Sequence, residues 1–364
     1  MQLCIHWIRF SRLAFSKKHP ITKTDNDLEP VSVVMCARDA YERLTELLPI
    51  LLGQDYPDFE VVVVNDCSDD DTDSYLEDLA RHNPRVKPVQ LRQHLNFFNG
   101  KKFPLSMGIK SASNDLLVLT DADCSPTSDK WLRSVVGCYG SDTEVVVGYA
   151  PYVQTKGLLN LLVRFDALQN ALQYLSAALV GRPYAGVGKN LSYRQRLFFR
   201  QKGLTSHYTM EAGDDDLFVS QAATRKNIGV HLDPDNTVVC DTPVSFGTWV
   251  RRLIQRYTTL KCYRLEVRTF AAAHYWSQFL FYVSLVALFF MTPAFTLSGE
   301  LPYTVYYFPT LTVLFLLRYI TQLVIYRGAS HRLGERGLLP GLILFDFLFA
   351  FLTPLFRISG RMKS

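Results

Sequence analysis

The distribution of charge along the chain constrains the fold more than any other feature of the sequence. The stretch Ala271–Leu297 contains no Asp, Glu, Lys or Arg over 27 residues, and a helix of about 20 apolar residues can cross a bilayer. Two further apolar runs follow, Tyr303–Tyr326 and Leu338–Phe356. We therefore expect residues 268–364 to be a membrane region with two to three transmembrane helices.

Basic residues predict how this region is oriented. The connection Arg327–Gly337 is mainly basic, as is the segment before the first apolar run, and basic loops remain on the cytoplasmic side. This pattern predicts a multi-pass protein of the inner (cytoplasmic) membrane whose soluble part lies in the cytoplasm. The C-terminal tail is also basic and three full crossings would place it outside, so a re-entrant or interfacial third segment, which contains Asp346, stays an alternative.

Composition excludes several other classes of protein. The chain is 48% apolar and 20% charged, which is incompatible with disorder, and a net charge of +5 does not indicate nucleic-acid binding. The seven cysteines form an odd set without a Cys-x-x-Cys pair, which predicts unpaired thiols in a reducing compartment.

Residues 1–29 form a separate N-terminal segment. Its amphipathic part, Met1–Phe15, is too short to cross a membrane and is either an anchor remnant or interfacial.

The soluble part, residues 30–267, has the pattern of an α/β domain. Short β-branched runs at Val31–Cys36, Phe59–Val64, Leu116–Thr120 and Val145–Val147 alternate with helical patterns. This alternation predicts a parallel, doubly wound sheet, in which ligands bind outside the carboxyl ends of the strands.

Acidic turns follow two of these predicted strands. Asp66 comes two residues after the valine run, and Asp121 and Asp123 follow the next buried strand. Two carboxylates two residues apart can converge on Mg²⁺ or Mn²⁺, which prefer oxygen ligands. The alternative is that these residues only form turns and helix N-caps.

Two further segments carry candidate chemistry. In Glu211–Leu217 three consecutive aspartates repel one another, so one of them is expected to have a raised pKa, as a general base needs; a helix N-terminus is the alternative. The stretch Gly186–Asn190 offers a backbone that a ligand can approach, with Lys189 and Arg194 as partners for an anion. The apolar helical pattern Lys156–Val180 is either an interfacial helix or a core helix.

In this order the motifs resemble glycosyltransferase family 2, and within it the bacterial membrane-anchored members. The resemblance covers about residues 30–265 and includes the turn Val64–Asp70, Asp121-Ala-Asp123, Gly213–Asp216 and a Trp/Arg/Gln cluster before the membrane helices. It implies a GT-A fold, a nucleotide-diphosphate sugar as donor, Mg²⁺ or Mn²⁺ as cofactor, and inversion at the anomeric carbon. Its context would be the synthesis of cell-envelope polysaccharide.

The resemblance also implies roles for particular residues. Asp66 would bind the nucleotide base, Lys101 or Lys102 would lie beside the nucleotide, and Asp121 and Asp123 would hold the ribose, the metal and the diphosphate. Asp214 or Asp215 would be the general base, with Asp215 slightly favoured. The residues that would border the sugar and the acceptor are Gly188, Lys189, Asn190, Arg194, Trp249, Gln255 and Arg256.

One departure from the family pattern bears on the acceptor. Polymer-forming members carry Gln-x-x-Arg-Trp near the membrane, whereas this chain has Arg252-Leu-Ile-Gln255-Arg256-Tyr257. The difference favours transfer of a single sugar to a lipid-linked or membrane-associated acceptor over processive polysaccharide synthesis. A metal-dependent nucleotidyltransferase and a non-catalytic membrane scaffold are the alternatives from other classes, and no nucleic-acid partner is expected.

Overall fold

A computed structural model describes residues 1–17, 25–92, 100–205, 210, 212–297 and 301–363. The strands are β1 Val31–Ala37, β2 Phe59–Asp66, β3 Val86–Leu91, β4 Leu116–Leu119, β5 Cys124–Pro126, β6 Val145–Gly148, β7 Leu191–Arg194, β8 Ile228–His231 and β9 Val238–Cys240. The helices are α1 Gln2–Cys4, α2 Ser11–Ala14, α3 Tyr41–Leu52, α4 Thr72–His82, α5 Lys102–Ser111, α6 Trp131–Val136, α7 Leu158–Leu179, α8 Gln195–Arg200, α9 Asp216–Ala222, α10 Phe246–Thr258, α11 Leu265–Leu297, α12 Leu301–Leu333 and α13 Leu342–Lys363.

Seven strands form one mixed sheet in the order β3-β2-β1-β4-β7-β6-β8. The α/β prediction is confirmed, and the sheet is buried on both faces: within β1, Val33 and Met35 belong to one apolar cluster and Val34 to the other. The prediction of a wholly parallel sheet was wrong, because β7 is antiparallel to β4 and β6. The chain enters β7 from a 3-10 turn at Gly188–Asn190, at the edge where the parallel strands end, so it must run back against them.

A second sheet pairs β5 with β9 in antiparallel fashion. Its register places Cys124 opposite Cys240, and the two form a disulfide across 116 residues of sequence. The prediction of unpaired thiols was therefore wrong. Sequence spacing could not reveal this pair, because the two cysteines become neighbours only through strand pairing.

Helix α7 lies in the core, which decides between the two interpretations of this segment. Phe165, fully buried, contacts the rings of Tyr326, Phe345 and Phe349 on α12 and α13. One residue earlier, Arg164 donates to Glu335 in the connection between α12 and α13, with a nitrogen–oxygen distance of 2.7 Å. Helix α7 therefore joins the α/β sheet to the C-terminal helices.

Within the described ranges, two helical stretches are long and apolar enough to cross a membrane, Pro309–Leu333 and Leu339–Gly360. The first predicted span, Ala271–Leu297, lies in α11, and the side chains of residues 291–297 are outside the described part, as is the chain at 298–300. The two charges inside the later spans, Arg318 and Asp346, form an ion pair of 2.7 Å.

The partners of this ion pair complete a buried polar group between the helices. Gln278 donates to Asp346 Oδ1 at 2.8 Å, and the hydroxyl of Tyr282 donates to Oδ2 at 2.5 Å. Gln322 donates to the same carboxylate and accepts from Arg318. We call these five residues the Arg318–Asp346 cluster; it satisfies a carboxylate that would otherwise be costly to bury among apolar helices.

The N-terminal segment is helical from α1 through a π-helical turn, Ile5–Phe10, to α2. It packs against α7 and α12, and the indole nitrogen of Trp7 donates to Thr321 at 3.2 Å. Trp7, Ile8 and Phe15 expose large apolar side chains on its outer side. The segment is thus docked against the C-terminal helices.

Candidate functional site

A cavity of about 550 Å³ opens where the parallel strands end. Asp121 and Asp123, which follow β4, line it together with Asp214, Asp215 and Asp216 at the start of α9. Its walls continue along α7 and α10 to Tyr275 on α11 and Arg357 on α13. Two of the three acidic segments singled out in the sequence therefore meet in one cavity.

The turn after β4 is bordered by cationic side chains. Lys101 donates to Asp121 Oδ1 at 2.8 Å and lies 3.3 Å from Asp214. Lys189 contacts both carboxylate oxygens of Asp123 at 3.1 Å. Burial would raise the pKa of Asp121, but Lys101 and Lys189 lower it below its ordinary value, so this carboxylate is ionised near neutral pH.

The third acidic segment begins with a turn that requires glycine. Gly213 has φ +103°, and a Cβ there would come within 2.6 Å of Leu217. The turn aims Asp214 and Asp215 toward the cavity. Asp215 then caps α9 by accepting from the backbone N–H of Asp216 at 2.7 Å, so the prediction of a helix N-terminus here is confirmed together with that of clustered carboxylates.

The environment of Asp215 differs from that of its neighbours. Burial, and then the charges of Asp214 and Asp216, raise the pKa of Asp215 to about 7. The backbone N–H of Gly188 donates to its Oδ2 at 2.8 Å and partly opposes this shift. Asp215 therefore exchanges a proton near neutral pH, which is the property expected of a general base.

Asp216 has its hydrogen-bonding capacity filled by the protein. Its Oδ2 accepts from the hydroxyls of Thr259, at 2.6 Å, and Tyr263. Its Oδ1 accepts from the backbone N–H of Leu217. Asp216 thus fixes α9 against the end of α10, and the neighbouring carboxylates carry the available chemistry.

The two adjacent lysines have different surroundings. Lys101 faces the cavity, whereas Lys102 is buried and donates to the backbone carbonyls of Met210 and Ala212 at 2.8 and 2.7 Å. Lys102 therefore holds the chain that leads to Asp214 and does not line the cavity, contrary to the alternative that it lies beside a nucleotide. The sequence could not separate the two, because only the start of α5 determines which lysine points inward.

The residues of the segment Gly188–Arg194 also differ in their surroundings: some contact the acidic residues and others do not. Gly188 and Lys189 contact the acidic residues, and Asn190 lies buried behind them, donating to the carbonyl of Tyr149 at 2.8 Å. Arg194 is at the far end of β7, paired in register with Leu116, where it binds Glu29. The prediction that Arg194 borders the site was wrong, because antiparallel β7 carries it to the opposite edge of the sheet.

Asp66 lies at the last position of β2, at the same edge of the sheet as the turn after β4. It is outside the described lining of the cavity. Its charge nevertheless acts on the partly buried thiol of Cys36, as do those of Asp121 and Asp214. Asp66 is therefore near the cavity without lining it, and residues 93–99, between β3 and α5, are not described.

Helix α10 supplies the remaining predicted residues and one that the predictions missed. Trp249, Gln255 and Arg256 line the cavity, but the two terminal guanidinium nitrogens of Arg256 donate to Asp166 of α7, at 2.6 and 3.1 Å. Arg252 also lines the cavity and lies 3.7 Å from Asp123. Helical spacing from Arg256 places Arg252 on the same face, one turn earlier, and this signal was available in the sequence.

The carboxylates fit a divalent cation by their chemistry. Asp121 and Asp123 offer hard oxygen ligands on one turn, and each is now contacted by a lysine, so this position favours positive charge. Among the described residues, Asp123, Cys124 and Cys240 hold possible ligand atoms within 4.8 Å of one another, but the two sulfur atoms are joined in the disulfide. Oxygen ligands alone therefore remain, which suits Mg²⁺ or Mn²⁺.

Comparison with known proteins defines the class of this fold. The chain aligns over its whole length with 94% of the mannosyltransferase PcManGT from Pyrobaculum calidifontis, solved with GDP-Man and Mn²⁺, at a TM-score of 0.55 and 18% identity. This similarity shows the fold, which is of the GT-A type as the sequence predicted. Residues 32–207 match the model of glycosyl transferase family 2. The chain therefore contains a glycosyltransferase family 2 domain, which confirms the resemblance.

Curated relatives share part of the chain. An uncharacterized glycosyltransferase of Haemophilus influenzae is 30% identical over 106 residues, which is 29% of this chain and 31% of that protein. The poly-beta-1,6-N-acetyl-D-glucosamine synthase of Staphylococcus epidermidis is 26% identical over 119 residues, 33% of this chain and 28% of that protein. The matches thus span about a third of the length of these relatives.

Proposed function

We propose that the protein is an inverting glycosyltransferase that moves a sugar from a nucleotide-diphosphate sugar to a lipid-linked or membrane-associated acceptor. The observation that carries the proposal is one cavity lined by the Asp121–Asp123 turn, by Asp215 and by residues of the C-terminal helices. Such a transfer requires a donor-binding end, a proton acceptor and a wall shared with apolar helices.

The proposed donor end lies at the turn after β4. Lys101, Lys189 and Arg252 place three positive charges beside the carboxylates of Asp121 and Asp123. Asp123, with Asp121, would hold Mg²⁺ or Mn²⁺, and the cation would neutralise charge that builds on the departing diphosphate. The similar mannosyltransferase from Pyrobaculum calidifontis was solved with GDP-Man and Mn²⁺, which supports a nucleotide sugar and a divalent cation here.

Asp215 is the proposed general base, and Asp214 is the neighbour that tunes it. In the reaction, the acceptor oxygen forms a bond to the anomeric carbon while the bond from that carbon to the diphosphate oxygen breaks. Asp215 takes the proton of the attacking hydroxyl, and the N–H of Gly188 orients the carboxylate that receives it. Attack on the side opposite the leaving group inverts the configuration.

We further propose that residues 30–267 form the catalytic domain on the cytoplasmic side of the inner membrane, with residues 268–364 as its multi-pass membrane region. The two apolar helical stretches and the basic connection between α12 and α13 support this placement. Transfer of a single sugar is proposed, because the Gln-x-x-Arg-Trp pattern is absent from the sequence and Arg256 is bound by Asp166.

A hydrolysis screen tests the proposal. The purified protein in detergent is incubated with UDP- and GDP-sugars and Mn²⁺ or Mg²⁺, and release of nucleoside diphosphate is measured. We expect metal-dependent turnover of one donor, reduced at least about 100-fold in Asp123→Ala because the phosphate end loses its cation. The exposed Asp129→Ala is the matched control. Absence of turnover with every donor, or an unaffected Asp123→Ala, contradicts the proposal.

A further inference from the structure

Residues of α7, α11 and α13 form a polar group in the wall of the cavity. Gln173 donates to the hydroxyl of Tyr275 at 2.7 Å, and the guanidinium of Arg357 lies 4.6 Å from the centre of the Tyr275 ring. Asn170, one helical turn before Gln173, also lines the cavity. We call Asn170, Gln173, Tyr275 and Arg357 the helix end of the cavity.

The charge of Arg357 at the helix end is not balanced by a carboxylate within the part of the chain that the structure describes. Among the described residues, no carboxylate lies within 4 Å of Arg357. The nearest acidic residue of the α7 wall, Asp166, is bound by Arg256 through both of its oxygens. A guanidinium that faces a cavity without a carboxylate partner is suited to bind an anionic group of a ligand, because it presents several N–H donors in a fixed plane.

Helix α13 also exposes apolar side chains close to Arg357 in the sequence. Leu355 and Ile358, on either side of it in α13, expose 58% and 55% of their surface. The cavity wall beside it includes Val267 and Ala271 of α11. A ligand bound there would therefore place an anionic group against Arg357 and an apolar chain against the outer surface of the helices.

Resting on the proposed function, we infer that the helix end is the acceptor subsite, and that the acceptor is an amphipathic molecule whose phosphate or diphosphate group is bound by Arg357. The base, Asp215, caps α9 and Arg357 is on α13, so the two groups line the cavity from different elements, and we place the anionic group apart from the nucleophile. The attacking hydroxyl belongs to a separate part of the same acceptor, between the anionic group and Asp215. This arrangement fits a hydroxyl-bearing headgroup, such as a sugar, joined through phosphate to an apolar chain.

Trp249 gives the headgroup a further contact. Trp249 is 5% exposed and lines the cavity, with its ring packed edge-on against Phe349 of α13. Its indole N–H is buried and has no acceptor among the described residues. A buried donor without a partner costs free energy, so a ligand oxygen that accepts from it would gain affinity. Indole rings also stack well on the apolar faces of sugars.

The test uses farnesyl diphosphate as a probe that combines a diphosphate with an apolar chain. Binding to the full-length protein in a non-ionic detergent is measured by titration, with saturating Mn²⁺ and nucleoside diphosphate present to fill the donor end. We expect Arg357→Gln to weaken probe binding about tenfold, because a charge-assisted contact is lost. Arg357→Lys should retain part of the affinity. Arg251→Gln, an exposed arginine of α10 outside the cavity lining, is the matched control and should bind as the wild type does.

Further arms separate the sources of the phosphate chemistry. Farnesol and inorganic diphosphate should each bind more weakly than the complete probe, since each lacks half of the recognised structure. Competition by phosphatidylglycerol at equal concentration overturns the inference, because it would make the site a general phospholipid contact. Unchanged probe binding in Arg357→Gln overturns it as well. If the wild type binds no nucleoside diphosphate in a parallel titration, the proposed function is wrong. The acceptor subsite is decided separately, by the effect of Arg357→Gln on binding of the probe.

Discussion

The cavity and the Arg318–Asp346 cluster both contain aspartates beside cationic side chains, yet they are built in opposite ways. Asp346 receives hydrogen bonds from Gln278, Tyr282, Gln322 and Arg318, so its carboxylate is fully satisfied. In the cavity, Lys101 is shared between two carboxylates, and Asp215 is left with a pKa of about 7. A saturated ion pair holds helices together, whereas an incompletely satisfied group of charges remains available for ligands and proton transfer.

The largest expected effect is the loss of turnover when the proposed base is removed. Asp215→Asn keeps the size and the capping oxygen but cannot accept a proton, so we expect turnover to fall about 1000-fold. The measurement is steady-state release of nucleoside diphosphate in the presence of the acceptor. Asp73→Asn, an exposed aspartate of α4, is the control. Retention of more than a tenth of the activity in Asp215→Asn would assign the proton transfer to another group.

In the Arg318–Asp346 cluster, by contrast, we expect substitution to lower the free energy of unfolding. Asp346→Leu leaves Arg318 buried without its carboxylate and should lower the free energy of unfolding by about 3 kcal/mol. Thermal unfolding in detergent measures this loss. The double variant Arg318→Leu with Asp346→Leu should recover much of the stability, because an apolar pair needs no compensation. A double variant that is less stable than the single one would show that the cluster does more than satisfy its own charges.

The smallest expected effect is the dependence of kcat/KM and of stability on pH, which tests the assignment of Asp215 as the general base. With a pKa of about 7 in the folded protein, the free carboxylate fraction rises about tenfold per pH unit below 7, so kcat/KM should rise and then level above 7. Stability has the opposite sign: between about pH 4 and pH 7 the folded state retains a proton that the unfolded state has lost, so the free energy of unfolding falls as pH increases. Asp215→Asn should remove that component of the slope; an unchanged Tm profile would contradict the raised pKa.

Local patterns in the sequence predicted the parts of the structure that depend on near neighbours. The valine run of β2 and the apolar run of β4 fixed the buried strands, and the acidic turns after them identified the edge of the sheet. The adjacent aspartates at 214–216 predicted a raised pKa; burial, and then the charges of its neighbours, raises the pKa of Asp215, and burial also raises that of Asp216.

The features that sequence reasoning missed all depend on distant contacts. The reversed direction of β7 carried Arg194 away from the site, and the Cys124–Cys240 bridge depends on strands 116 residues apart. Arg318 and Asp346 pair across two helices. In the sequence, where this pairing is not visible, each charge only weakened the prediction of a membrane span. Arg256 looked available for a substrate because nothing in its own segment shows that Asp166 binds it.

The position of α7 has a consequence for any attempt to separate the enzyme into parts. Arg164 is buried against Glu335, and Phe165 is covered by rings from α12 and α13. A chain ending near residue 267 would expose that aromatic face to water and strand a guanidinium in an apolar setting. Residues 30–267 expressed by themselves should therefore aggregate, and measurements of activity need the chain through α13.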